Sequence, residues 1–91
     1  QDYKQALKWY TKSAEQGLAQ AQYSLAIMYD NGEGTPQDYV RAHMWYNLSA
    51  ARGVADAAKY RDLLSQKMTS EDISKAQALA QECIKKKYKG C

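Results

Sequence analysis

Few residues in this chain have the types and spacing that chemistry requires. The stretch GEGTPQDY, Gly32 to Tyr39, sets two glycines one residue apart just ahead of a helix start. A glycine-rich turn feeding a helix N-terminus is a common cradle for phosphate. The pattern stops short of that chemistry, because Gln37 stands where a dinucleotide fingerprint needs its third glycine and no Gly-Lys-Ser/Thr follows. Asp30, Glu33 and Asp38 also surround the loop with charge that would repel a phosphate. The loop reads as a joint between helices.

The remaining reactive side chains are isolated. His43 is the only histidine, whereas a metal site needs several convergent ligands. No serine is followed three residues later by lysine, so the Ser-x-x-Lys nucleophile pair is absent. With no second acid–base cluster, neither catalysis nor a cofactor, metal or small-molecule substrate is expected. Cys83 occupies an apolar position of a helical stripe, where it reads as a small buried filler. A bond to Cys91 would require the chain after Gly90 to fold back along more than ~10 Å of helix, which disfavours the pairing. Unpaired, Cys91 could cross-link two molecules in an oxidising setting, so the redox state of both cysteines stays open. The run from Lys85 to Lys89, with Tyr88 inside it, has the look of a nucleic-acid or lipid patch. Lysines at a helix C-terminus equally complement the helix dipole and solubilise an end, and that reading is preferred.

These residues belong to a chain that repeats itself. Residues 1–21, QDYKQALKWYTKSAEQGLAQA, lie over residues 37–57, QDYVRAHMWYNLSAARGVADA, with eleven identities and no gap, a period of 36 residues. The shared positions include Gln1/Gln37, Tyr3/Tyr39, Ala6/Ala42, Trp9/Trp45, Tyr10/Tyr46, Ser13/Ser49, Ala14/Ala50 and Gly17/Gly53. Within each copy the pattern is helical: Tyr3, Ala6, Tyr10, Ser13, Ala14 and Gly17 share one face at 100° per residue, and their counterparts do the same. Gly17 and Gly53 then end the helix, since glycine accepts the left-handed turn that stops one. A second helix over about 19–31 sets Leu18, Ala21, Leu25, Met28 and Tyr29 on one side. Each repeat is therefore a pair of antiparallel helices that cannot bury its apolar face alone. Asn31-Gly32 ends the first pair, and Thr35 is expected to cap the next helix with Pro36 in its first turn and Asp38 closing the box.

The landmarks Ala-x-x-Trp-Tyr, Ala-x-x-Gly, Ala-x-x-x-Leu-x-x-x-Tyr, Gly-x-Gly (Gly32, Gly34) and Asp-Tyr, spread over about residues 2–65, resemble those of Sel-1-like repeats. These are 36-residue relatives of the tetratricopeptide repeat, whose own period is 34. The resemblance implies an all-α, right-handed α-solenoid whose first helices line a concave surface that binds other proteins. It also implies a bacterial source and favours a periplasmic or secreted location. The expected organisation is one repeat over 1–36 (helices about 2–16 and 19–31), a terminal repeat over 37–66 (about 37–52 and 55–66) and a capping helix over 69–90. After Ala57 the Leu-x-x-x-Tyr and Gly-x-Gly elements are missing, as suits a terminal unit with a polar outer side. The chain begins without an initiator methionine, inside the pattern, so a C-terminal piece of a longer protein is expected.

What remains is surface. On the first helix of each repeat, the side away from the core carries Gln5, Lys8, Lys12 and Gln16, then Arg41, Met44, Leu48 and Arg52. Four basic side chains beside two apolar ones would suit an acidic or amphipathic peptide, and these eight residues are the expected partner-binding positions. Trp9 and Trp45 are expected between repeats. The net charge of +3 is too mild to point to nucleic acid or membrane by itself. The function expected is a scaffold that binds a peptide or protein on its concave side. Self-association through an open repeat end is the alternative, and nucleic-acid or membrane binding through Lys85–Lys89 a distant third.

Overall fold

A computed structural model describes residues 2–91; Gln1, the first position of the repeat register, lies outside them. Five helices follow one another: α1 (Tyr3–Glu15), α2 (Ala19–Asn31), α3 (Tyr39–Ala51), α4 (Ala55–Ser65) and α5 (Ser70–Lys85). There is no strand among the described residues, and no helix is long and apolar enough to cross a membrane. The architecture is the all-α solenoid, with α1–α2 and α3–α4 as successive hairpins.

Local chemistry fixes the helix ends. The Asp2 carboxylate accepts from the N–H groups of Lys4 and Gln5 at 3.0 and 3.2 Å, covering two of the donors that a helix start leaves unpaired. Asp38 caps α3 with one such bond, accepting from the Arg41 N–H at 3.0 Å. Asp38, and not Thr35, is therefore the cap, and α3 starts at Tyr39. The earlier start fails because residues 35–38 are spent on the turn: the Asp38 N–H donates to the Tyr29 carbonyl at 2.9 Å and Gln37 Nε2 to the Asp30 carbonyl at 2.7 Å. Within this joint Gly34 has φ +76°, and a Cβ there would fall 2.6 Å from the Tyr3 carbonyl oxygen. The loop can lie on the start of α1 only because that side chain is missing.

Packing then orders the helices. α1 packs on α2, α2 on α3, and α3 on both α4 and α5. In consequence α3 is buried nearly all round, with Ala42, His43, Met44, Trp45, Tyr46, Leu48 and Ser49 in the interior, while α1 buries only Ala14. Two inter-helix hydrogen bonds hold the register. Gln22 Nε2 donates to the Ala14 carbonyl at 3.2 Å inside the first hairpin, and Ser49 Oγ donates to the Ala19 carbonyl at 2.8 Å between hairpins.

The face shared by the two repeats is not equally covered along its length. Ala50 departs from the expected pattern: its counterpart Ala14 is fully buried, whereas Ala50 is only half-buried, at the edge of the core. In the first hairpin the buried Gln22 side chain lies against Ala14. Its counterpart in the second hairpin is Ala58, too short to cover Ala50 in the same way. Tyr3 is exposed and Ala6 half-buried, against a buried Ala42, because α1 packs chiefly on α2 while α3 has helices on several sides.

The last helix does not extend the stack. α5 is capped by Thr69, whose Oγ1 accepts from the Asp72 N–H at 3.1 Å, and it turns Ala76, Ala80 and Cys83 inward. It packs chiefly on α3, not on α4, so it crosses the side of the solenoid formed by the first helices. It also ends at Lys85, short of the expected 69–90 span, because the chain reverses there.

Candidate protein-binding surfaces

The side of the solenoid formed by α1 and α3 splits into two unlike halves. On α1, Gln5, Lys8, Lys12 and Gln16 are all exposed. On α3 the apolar pair expected beside them is absent from the surface: Met44 is 1% and Leu48 2% exposed. Those two face the apolar stripe of α5 and join Ala80 and Cys83 in one core cluster. Burying a Met or Leu side chain stabilises by roughly 1.5–3 kcal/mol, which an exposed groove would forgo.

The charged residues of α3 stay exposed but are engaged by the chain itself. Arg41 donates from Nη1 to the Cys91 carbonyl at 2.8 Å, pairs with Asp38 at 3.5 Å, and sits 5.9 Å from the centre of the Tyr29 ring. Arg52 lies 5.8 Å from the centre of the Tyr88 ring and donates to the Tyr88 hydroxyl at 3.3 Å. Arg41, Met44, Leu48 and Arg52 thus hold the C-terminal segment.

That segment also corrects the expectation for the cysteines. Cys83 and Cys91 form a disulfide, with Cα atoms 5.6 Å apart. The chain need not run back along the helix, because Lys87 and Tyr88 take left-handed conformations, φ 55° and 69°, and turn it at once. The Tyr88 N–H donates to the Cys83 carbonyl at 2.8 Å, closing the turn. Two consecutive non-glycine residues in that region cost roughly 1–2 kcal/mol each, which the contacts of the segment offset. Lys89 Nζ donates to the Glu15 carbonyl at 3.1 Å and the Gly90 N–H to Glu15 Oε2 at 3.2 Å. The segment so ties α5 to the end of α1, and the lysine run is partly committed to that tie.

His43 is buried with Nε2 3.0 Å from Ser65 Oγ. The serine proton goes to the Arg61 carbonyl at 2.9 Å, so Nε2 carries the imidazole proton and donates. The other ring nitrogen, Nδ1, is buried without a partner among the described residues. A serine that accepts from histidine is not activated by it, and among the described residues no carboxylate hydrogen-bonds the ring. Burial, then the nearby Arg61 charge, lowers the His43 pKa, with Asp62 opposing; the ring is a neutral core group. Among the described residues no cluster of three or more His, Cys, Asp or Glu is placed to hold a metal.

The two tryptophans differ most. Trp45 is 2% exposed, whereas Trp9, at the equivalent place one repeat earlier, is 63% exposed. Beside Trp9, Leu18 is also exposed, and with Tyr10, Ser13 and Ser24 they line an open groove of about 500 Å³.

Comparison with known proteins decides the family. The Sel1 repeat model matches residues 1–18 and 19–54. The chain belongs to the Sel1 repeat family. A crystal structure of c5321, a protective antigen present in uropathogenic Escherichia coli strains and displaying an SLR fold, superposes with a TM-score of 0.88 at 30% identity. The match takes in 96% of this chain and 20% of that one, so the chain spans about one fifth of its relative's length. No curated protein sequence matches it. Sel1 repeats are a non-catalytic scaffold type whose members typically bind other proteins.

Proposed function

We propose that this Sel1 repeat chain is a protein-interaction module and that it holds an acidic peptide or protein segment along α1, on Gln5, Lys8, Lys12 and Gln16. The carrying observation is the asymmetry of the two first helices. The α3 half of the side formed by the first helices is filled by α5 and residues 86–91, while the α1 half presents Lys8 and Lys12 in no ion pair among the described residues. Arg41 and Arg52 border the site and act through the C-terminal segment they hold. The Cys83–Cys91 bridge fits an oxidising compartment such as the periplasm or the extracellular space.

The test is selection of binders to the immobilised chain from a random peptide library, followed by titration against the double variant Lys8→Glu, Lys12→Glu. Both lysines are exposed, so the variant should keep its far-ultraviolet circular dichroism. Acidic sequences that lose at least tenfold in affinity for the folded variant support the reading. Selected sequences that bind the variant equally well would place the site elsewhere.

A further inference from the structure

Away from the basic stripe of α1, side chains of α2, α3 and α4 line an open cleft of about 300 Å³: Tyr23, Ile27, Asp30, Asn31, Tyr46 and Tyr60. Tyr23 is the central ring of three. It lies 6.1 Å from the Tyr46 ring and 6.4 Å from the Tyr60 ring, tilted 51° and 37° to them. Asp30 adds a negative charge to this aromatic wall. Its Oδ2 accepts from the Tyr46 hydroxyl at 3.0 Å, and the carboxylate is in no ion pair among the described residues. Asp56 is likewise in no ion pair among them. It stands near enough to Tyr23 that its charge adds to burial in raising that tyrosine's pKa.

The repeat register does not demand this arrangement. One repeat earlier, Ser24 holds the place of Tyr60 and Gln20 that of Asp56. Tyr60 is 40% exposed, so its ring serves the core only in part and offers a face to solvent. The chain already brings a cation to that ring, because Lys59 Nζ lies 5.8 Å from its centre.

We propose that this cleft is a binding site for a trimethylammonium group of the choline type. Aromatic faces attract a cation held within about 6 Å of the ring centre, and Asp30 and Asp56 supply the opposite charge. A metal ion is a poor occupant, since among the described residues no three His, Cys, Asp or Glu converge to hold one. A primary ammonium carries three N–H donors that need acceptors once water is lost, whereas one Asp30 oxygen is already taken by Tyr46. A quaternary nitrogen has no such donors, so its methyl groups need only tyrosine faces and nearby negative charge. Lys59 is exposed, and its displacement from Tyr60 leaves no charge buried. The site is separate from the stripe on α1 and goes beyond the function proposed above.

The probe is choline, titrated into the intact chain by nuclear magnetic resonance beside its uncharged analogue with carbon in place of nitrogen. Saturable shifts of the Tyr23, Tyr60 and Asp30 signals are expected with choline, and at least tenfold weaker binding of the analogue. Tyr60→Ala should lose at least fivefold in choline affinity, while Tyr60→Phe, which keeps the ring face, should retain it. Asp56→Asn, a change at an exposed position, should weaken binding severalfold without disturbing the fold, as circular dichroism would check. Choline that gives no saturable shift, or binds no better than its neutral analogue, overturns the proposal. So does an affinity unchanged in the folded Tyr60→Ala chain. Phosphatidylcholine vesicles then distinguish the two sources of the group. A chain that sediments with them and is released by excess choline takes a lipid headgroup, and one that binds choline but stays in solution takes a soluble compound.

Discussion

The Tyr46 hydroxyl and the Asp30 carboxylate meet at 3.0 Å, joining the first helix of one repeat to the second helix of the one before. The contact is part-buried, and burial of Tyr46 followed by the Asp30 bond raises the Tyr46 pKa well above its ordinary value. Tyr46 is therefore a neutral donor at neutral pH. Tyr46→Phe should cost about 1.5–3 kcal/mol, since a hydrogen bond to a charged acceptor is lost while the ring still packs. Urea denaturation at neutral pH reads this directly, and an unchanged midpoint would show the bond to be energetically idle.

The disulfide gives a second expectation. Closing the short loop between Cys83 and Cys91 restricts the unfolded chain by about 2–3 kcal/mol on the chain-entropy account. Reduction, or Cys91→Ser, should lower the urea midpoint accordingly. It should also release amide protection over 86–91 while α2 and α3 keep theirs, because those helices are held by contacts the segment does not make. Loss of protection throughout would mean that the bridge secures the whole fold.

His43 sets the acid side of the stability curve. Its folded pKa lies below the ordinary 6.5, so below about that pH the unfolded chain takes up a proton that the native core refuses. Stability should be flat above the unfolded pKa and fall as pH drops from there toward the folded one. Leu7 occupies the equivalent place in the first repeat, so His43→Leu is the natural control. It should remove this acid-side slope while the Ser65–Arg61 bond persists. A slope that survives the change would assign it to other groups.

Gly34 offers a sharp backbone test. A methyl group there meets the Tyr3 carbonyl at 2.6 Å and forces an L-residue into a positive φ. Gly34→Ala should destabilise by roughly 1–3 kcal/mol. Gly53, at φ +104° with nothing within 4 Å of an added Cβ, should carry the conformational part of the cost alone. Equal midpoints for the two alanine variants would deny the close approach.

The repeat, its period and the helix pairs were legible in the sequence because identical residues recur in register and glycines mark the ends. Asp38 as the cap could have been read from Asp2, its direct counterpart, whereas the Thr-Pro pair pointed three residues too early. Ala14 and Ala50 are identical in sequence yet unequal in burial, because the residue that covers one, Gln22, is an alanine in the other repeat. The covering of Met44 and Leu48 was not local information: it depends on α5 returning from about thirty residues away. A signal was nonetheless present, since two apolar side chains on a supposed groove and an unpartnered Ala76–Ala80–Cys83 stripe complement each other. The disulfide escaped because Lys87 and Tyr88, neither of them glycine, make the left-handed turn that brings Cys91 back. Trp9 and Trp45 read alike in sequence, and only the neighbours that each one finds separate them.

The side of the solenoid formed by the first helices divides into a filled α3 half and an open α1 half. Hydrogen–deuterium exchange of the intact, oxidised chain, with and without an acidic peptide selected for binding, tests this division most directly. Added protection confined to α1 over residues 4–16 and the adjoining tail is the predicted result. Protection appearing on α4, or on α3 with release of α5, would contradict it.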